Sequence, residues 1–246
     1  MKVYLATPTT LNGRGDFLKE MALKNNLYIL ESFYYIDKFV EDLIPYFKDF
    51  LLDSGAFTFM ANSKKLNFNI EEYLQKLIKF INKNKIKYFF ELDVDYLIGY
   101  DKVLELRRVL EKGTGRKCIP VFHKSRGIKE YERMCEEYNY IAIGTIGEYR
   151  GKEDVLKQLL RIANKHNTKV HGLGFTQLKH LKDFDFYSVD STSWTCGSRF
   201  GIVYKFDGRG LSKVGVPMGM RLKTYKVLEN NFKEWVKYQK YADMTF

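Results

Sequence analysis

The sequence predicts a (β/α)8 TIM barrel, and three observations predict it. Eight short strand-like runs alternate with helical ones along the 246 residues. Most of these runs are apolar throughout, as expected for parallel strands covered on both faces. Eight β–α units in about 250 residues is the size of such a barrel, and strict alternation implies right-handed crossovers and a parallel sheet. A doubly wound open sheet is the competing architecture. No Gly/Ser- or Pro-rich linker divides the chain, so residues 1–246 read as a single domain.

The strand candidates are Val3–Ala6, Leu27–Leu30, Phe50–Asp53, Lys87–Asp93, Cys118–Phe122, Tyr140–Gly144, Lys169–Gly172 and Phe186–Asp190. Between them, Ile70–Asn84 places Tyr73, Leu74, Leu77, Ile78 and Ile81 at helical spacing, with Glu71 and Glu72 in the first turn where the helix dipole favours acids. Tyr100–Lys112 is helical and stops at Gly113. Glu153–His166 and Leu222–Tyr241 follow the same pattern, as do Phe17–Lys24, Ile36–Phe47, Ile128–Tyr138 and the short Thr176–Leu181. Residues 195–221 break the rhythm. Phe200–Phe206, the turn Asp207-Gly208-Arg209-Gly210 and Leu211–Val216 read as a β-hairpin inserted after the eighth strand, at the C-terminal face of the barrel. It carries Arg199, Lys205, Arg209, Lys213 and Arg221 against a single acid, Asp207.

Composition narrows the class. Hydrophobic residues make up 45% and charged residues 29%, which excludes a disordered or fibrous chain. No apolar run approaches the ~20 residues of a membrane span, and Met1–Pro8 turns polar too soon for a secretory leader. The expectation is a soluble, cytoplasmic protein. The net charge of +11 favours encounter with polyanions such as nucleic acid. Cys118, Cys135 and Cys196 are far apart and match neither a disulfide framework nor a metal-ligand spacing, so no metal is expected.

The strand ends carry the chemistry. They read Asp53-Ser54-Gly55, Glu91-Leu92-Asp93-Val94-Asp95, Phe122-His123, Gly144-Thr145-Ile146-Gly147, Gly172-Leu173-Gly174 and Asp190-Ser191. In a parallel barrel these ends converge on one mouth, where barrel enzymes place their active sites. One aspartate after a strand is commonly the N-cap of the next helix, and Asp95 reads as a cap or a supporting group. Asp53 and Asp190, however, precede Ser-Gly-Ala-Phe and Ser-Thr-Ser-Trp rather than an immediate helix. Several carboxylates in one dry mouth push each other's pKa values apart, which suits one as nucleophile and another as proton shuttle.

These residues resemble a known family. Asp53-Ser-Gly-Ala-Phe-Thr resembles the DSGGFQ motif of the tRNA-guanine transglycosylases. In the same order, Phe90-Glu-Leu-Asp93 resembles the family's base-binding aspartate strand, and Val121-Phe-His123 falls where the family has a base-binding glutamine. Gly144 to Gly147 resembles its glycine loop, Gly172-Leu-Gly174 the glycines before its last barrel strand, and Tyr187-Ser-Val-Asp190 the strand of its nucleophile. The family's CxCxxC zinc cluster is absent, and the chain is shorter than the bacterial tRNA enzymes. In both respects it is more similar to the compact bacteriophage enzymes that insert 7-deazaguanines such as preQ0 into DNA. The resemblance implies Asp190 as nucleophile and Asp53 as proton carrier. It implies a base held by Asp93, His123, Ser54, Gly55, Gly144, Thr145 and Ile146. Sugar and phosphate would be met by Gly172, Gly174, Arg199, Lys205 and Arg209. It implies guanine exchange in DNA, with a free 7-deazaguanine base as second substrate and no cofactor. Exchange in tRNA, hydrolysis of an N-glycosidic bond and a non-catalytic nucleic-acid-binding barrel are the alternatives.

Overall fold

The continuous apolar runs form one parallel sheet. In a computed structural model, which describes residues 1–56, 58, 69–144, 146–149, 151–175, 178–215 and 223–246, and the side chains of all these except 146, 148, 178, 179, 198 and 199, the strands are β1 (Lys2–Ala6), β2 (Tyr28–Ser32), β3 (Asp49–Asp53), β4 (Tyr88–Phe89), β5 (Val121–Phe122), β6 (Tyr140–Ile143), β7 (Lys169–Gly172) and β8 (Ser188–Ser191). Their spatial order is β4-β3-β2-β1-β8-β7-β6-β5. The two ends of this order meet in a parallel bridge between Phe90 and Ile119. There, Ile119 N–H donates to Phe89 O at 2.8 Å and Glu91 N–H to Ile119 O at 3.0 Å. The sheet therefore curls round in chain order, a TIM-barrel-like α/β architecture.

Side chains alternate across the curled sheet. Val3, Leu5, Ile29, Leu52 and Phe89 face the helices in the larger core. Tyr4, Tyr28, Leu51, Phe90, Ile119 and Tyr140 fill the interior. The helix Ile70–Lys83 illustrates the outer layer. Asn69 caps it, its Oδ1 accepting from Glu72 N–H at 3.0 Å, and it buries Tyr73, Leu74, Leu77, Ile78 and Ile81, each worth about 1.5–3 kcal/mol when fully buried.

Some boundaries differ from expectation for identifiable reasons. The helix Tyr100–Thr114 runs through Gly113 and ends at Gly115, whose φ is +65°. Gly113 serves packing instead, since a Cβ there would lie 2.8 Å from Ile78 Cδ1. Residues 36–47 form only the turn Lys38–Glu41 and the 3-10 segment Ile44–Tyr46, because Pro45 cannot continue a helix. Thr176 and Gln177 lie outside the described residues, and a 3-10 helix follows at Leu178–Asp183.

The hairpin exists, but not where it was expected. β9 (Val203–Phe206) pairs antiparallel with β10 (Leu211–Val214). Phe200, expected to open the first strand, instead closes the helical turn Cys196–Phe200; residues 216–221, Arg221 among them, lie outside the description. β9 lies along the final helix, Thr224–Thr245. Asn231 Oδ1 accepts from Tyr204 N–H at 2.8 Å and Glu234 Oε2 from Phe206 N–H at 2.7 Å. Phe206 meets Tyr241, and Tyr241 meets Phe246, whose carbonyl accepts from the Met1 ammonium. Met1 immediately precedes β1, so the hairpin turn reaches the N-terminal end of the barrel, away from the strand ends that carry the carboxylates. Among the described residues, no helix is long and apolar enough to cross a membrane.

Candidate active site

The C-terminal strand ends bring Asp53, Asp93 and Asp190 into one electrostatic environment. Asp53 ends β3, and its pKa is pushed up to about 7, by burial first and then by the charges of Asp93 and Asp190. Gly55 N–H, 3.3 Å from Asp53 Oδ2, offsets this only in part. Gly55 has φ +81°, and a Cβ there would lie 2.7 Å from the Tyr73 hydroxyl. That hydroxyl donates to Ser54 O at 2.6 Å, holding the Asp-Ser-Gly turn against the helix Ile70–Lys83. The donor of Gly55 is thus turned to Asp53. The Ser54 Oγ is buried with no hydrogen bond among the described residues.

Asp93 and His123 meet across the junction of β4 and β5. His123 Nε2 lies 3.0 Å from Asp93 Oδ2. Burial lifts the Asp93 carboxyl above its ordinary range, although His123 pulls it back. Burial opposes charge on the His123 ring, but the bond to Asp93 outweighs it and raises the imidazole pKa. Both shifts favour a proton held between the two groups. Gly144 makes room for it: a Cβ on Gly144 would lie 2.7 Å from His123 Cε1 and 3.0 Å from Nδ1. The Gly144 N–H is already given to Phe122 O at 2.9 Å, so Gly144 shapes the site through its missing side chain rather than by donating to a base. Gly144→Ala is expected to displace the His123 ring and lengthen its contact with Asp93, which a structure of the variant checks.

Asp190, at the penultimate position of β8, is 7% exposed. Its Oδ1 accepts from Gly174 N–H at 2.7 Å and lies 3.2 Å from His171 Nε2. Gly174 adopts φ +67°, which turns its N–H onto the carboxylate. Among the described residues no hydrogen bond reaches Oδ2. Gly172 is a ladder residue of β7, paired with Ile143 and Val189, so neither glycine of this pair presents a free donor to a phosphate.

A buried ionic network braces the two loops behind Asp93 and His123. Glu91 is fully buried and accepts from Arg107 Nε at 2.7 Å, from Arg126 Nη1 at 3.3 Å and from Val121 N–H at 2.7 Å. Arg126 Nε also donates to Asp95 Oδ2 at 3.0 Å, which makes Asp95 a supporting group. On the opposite side Glu31, also fully buried, accepts from Thr9 N–H at 3.0 Å and Ser32 N–H at 2.8 Å, tying the loop after β1 to the end of β2.

The structure thus brings together Asp53, Asp93, His123 and Asp190 with Ser54, Gly55, Gly144 and Gly174 around them. Thr145 lies outside the described residues, as do the side chains of Ile146 and Arg199. Lys205 and Arg209 are not at the mouth: Lys205 is on β9, and Arg209 is in the turn that lines a groove with Lys182, Lys213, Tyr241 and Phe246. Sequence reasoning missed His171, Arg126 and Glu31. The signal for His171 was present in the alternation of β7, where an inward position beside an apolar one holds a polar residue.

No protein-family model matches the chain, and no curated protein matches it. Among solved structures the chain is similar to one described as "QR15, an Aldolase", at 14% identity over 78% of this chain and 89% of that chain, with a TM-score of 0.49.

Proposed function

We propose that the protein is a transglycosylase that exchanges guanine in nucleic acid for a 7-deazaguanine base. The observation that carries this reading is the convergence of Asp53, Asp93 and Asp190, with Asp53 held near pH 7 by its own burial and the other two charges. A group with that pKa can both give and take a proton at neutral pH. Asp190 Oδ2 attacks C1′ of the target nucleoside. The C1′–N9 bond breaks, and its electron pair goes to the base nitrogen, which takes the proton of Asp53. The incoming base then loses its proton to Asp53 and displaces Asp190, so that two displacements retain configuration. Asp93 faces the N1–H and N2 amine of the base, with His123 bound to it. No step calls for a cofactor.

DNA is the proposed polymer. Support comes from the net charge of +11 and from the resemblance to compact DNA-modifying enzymes. A target in duplex must flip out at a cost of a few kcal/mol. The test offers labelled 7-deazaguanine with duplex DNA, single-stranded DNA and unmodified tRNA at equal guanine concentration. Label in DNA is the expected result. Label mainly in tRNA overturns the polymer but not the chemistry. Release of guanine without label means hydrolysis, and neither signal means a binding barrel.

A further inference from the structure

We infer that His171 is a positioning residue for Asp190, acting through its Nε2–H on Oδ1 to favour departure of the carboxylate from the covalent intermediate; the inference rests on the transglycosylase reading above. His171 is fully buried inside the barrel, between Tyr4 and Phe90. Its two ring nitrogens have different partners. Nδ1 lies 2.7 Å from Ser188 Oγ and Nε2 lies 3.2 Å from Asp190 Oδ1. Ser188 Oγ is in turn 2.6 Å from the Tyr140 hydroxyl.

The direction of this chain follows from its far end. Burial pushes the Tyr140 phenol well up, so it keeps its proton. Its one hydrogen bond among the described residues is to Ser188, and donating there satisfies the buried phenol proton. Ser188 then donates its O–H in a hydrogen bond to His171 Nδ1. With Nδ1 accepting, the imidazole carries its hydrogen on Nε2, aimed at Asp190. The tautomer is assigned by the network, each member having one donor and one acceptor to place.

Gly174 N–H and His171 Nε2–H converge on the same oxygen, leaving Oδ2 to form the bond to C1′. In the intermediate, Oδ1 is an ester carbonyl oxygen. When the incoming base nitrogen bonds to C1′, the C1′–Oδ2 bond breaks and its electron pair returns to Asp190 as a carboxylate shared over both oxygens. Hydrogen bonds to a carboxylate are about twice as strong as those to a neutral acceptor. The two donors thus tighten as the ester cleaves and favour the second displacement over the first. The arrangement is that of an oxyanion hole for a leaving carboxylate.

The experiment follows the intact protein, quenched at intervals, by mass spectrometry, with turnover measured in parallel on an oligonucleotide substrate and a labelled base. His171→Phe removes the donor. It is expected to slow breakdown of the adduct roughly tenfold or more and to raise the fraction of protein carrying nucleoside at steady state. His171→Gln restores an N–H at similar reach and should return the partition toward wild type. Ser188→Ala, which frees the imidazole to place its hydrogen on Nδ1, should shift the partition in the same direction as His171→Phe. Equal loss of adduct formation and breakdown, unrelieved by glutamine, would mean packing alone and overturn the inference. If His171→Phe does not fold, the Ser188→Ala partition decides. Absence of any adduct in the wild-type protein would overturn the transglycosylase reading itself, a separate outcome.

Discussion

Asp190→Ala is expected to abolish base exchange, lowering turnover by roughly four orders of magnitude or more, as removal of a covalent nucleophile does elsewhere. The side chain is 7% exposed and its Oδ1 is held by Gly174 N–H and His171, so alanine deletes the reacting atom from a site otherwise preformed. Affinity for the free base should stay within a few-fold, because Asp93 and His123 lie on other strands. Loss of the adduct mass together with retained base binding, by calorimetry, is the expected pair of results. An alanine protein that still turned over at near wild-type rate would remove Asp190 from the chemistry.

Asp53→Asn carries the second large effect, on both rate and stability. The first displacement needs Asp53 protonated, so single-turnover adduct formation in the wild-type protein should fall as pH rises through about 7, the value its surroundings impose. The second displacement needs its carboxylate and should fall below that value. Asparagine can do neither, and both limbs should vanish with most of the rate. The stability effect has the opposite sign. A carboxyl raised from 3.8 to about 7 binds a proton in the folded state that the unfolded chain has already lost. Its contribution is complete below the unfolded value and is lost as pH rises through the folded one. Wild-type stability attributable to this group should therefore decline across that window by about 4 kcal/mol at most. Asparagine should remove the decline, so the variant gains on wild type between about pH 4 and pH 8 in urea unfolding. Parallel urea midpoints at both ends would show that Asp53 is not strained in the folded protein.

The order of strands was legible because burial on both faces leaves unbroken apolar runs, and Lys169–Gly172 matches its predicted limits. The aspartates were legible because a charged residue ending such a run is conspicuous. What escaped depends on partners distant in sequence. Glu91 read as part of a strand; it lies just past the two-residue β4 and pairs with Arg107 and Arg126, 16 and 35 residues away. His171 lay within a correctly read strand, but only Ser188 and Asp190 on the neighbouring strand give it a task. Gly144 and Gly174 resemble phosphate- or base-cradling glycines in sequence. The structure instead uses the first for the space beside His123 and the second for its N–H to Asp190. The hairpin turn was recognisable from Asp207 and its glycines, whereas the way it lies depends on Asn231 and Glu234 of the final helix.

The junction of β4 and β5 is the narrowest in the ring: each strand is two residues long, and a single bridge joins Phe90 to Ile119. Asp93 and His123 join hands across it at 3.0 Å. The groups assigned to recognise the base are therefore also a latch on the sheet. Any molecule that grips both favours the latched ring over one sprung at this joint, and by linkage a ring already latched grips that molecule more tightly. Recognition and closure would in this way be two readings of one equilibrium, set on strands other than the one that carries Asp190.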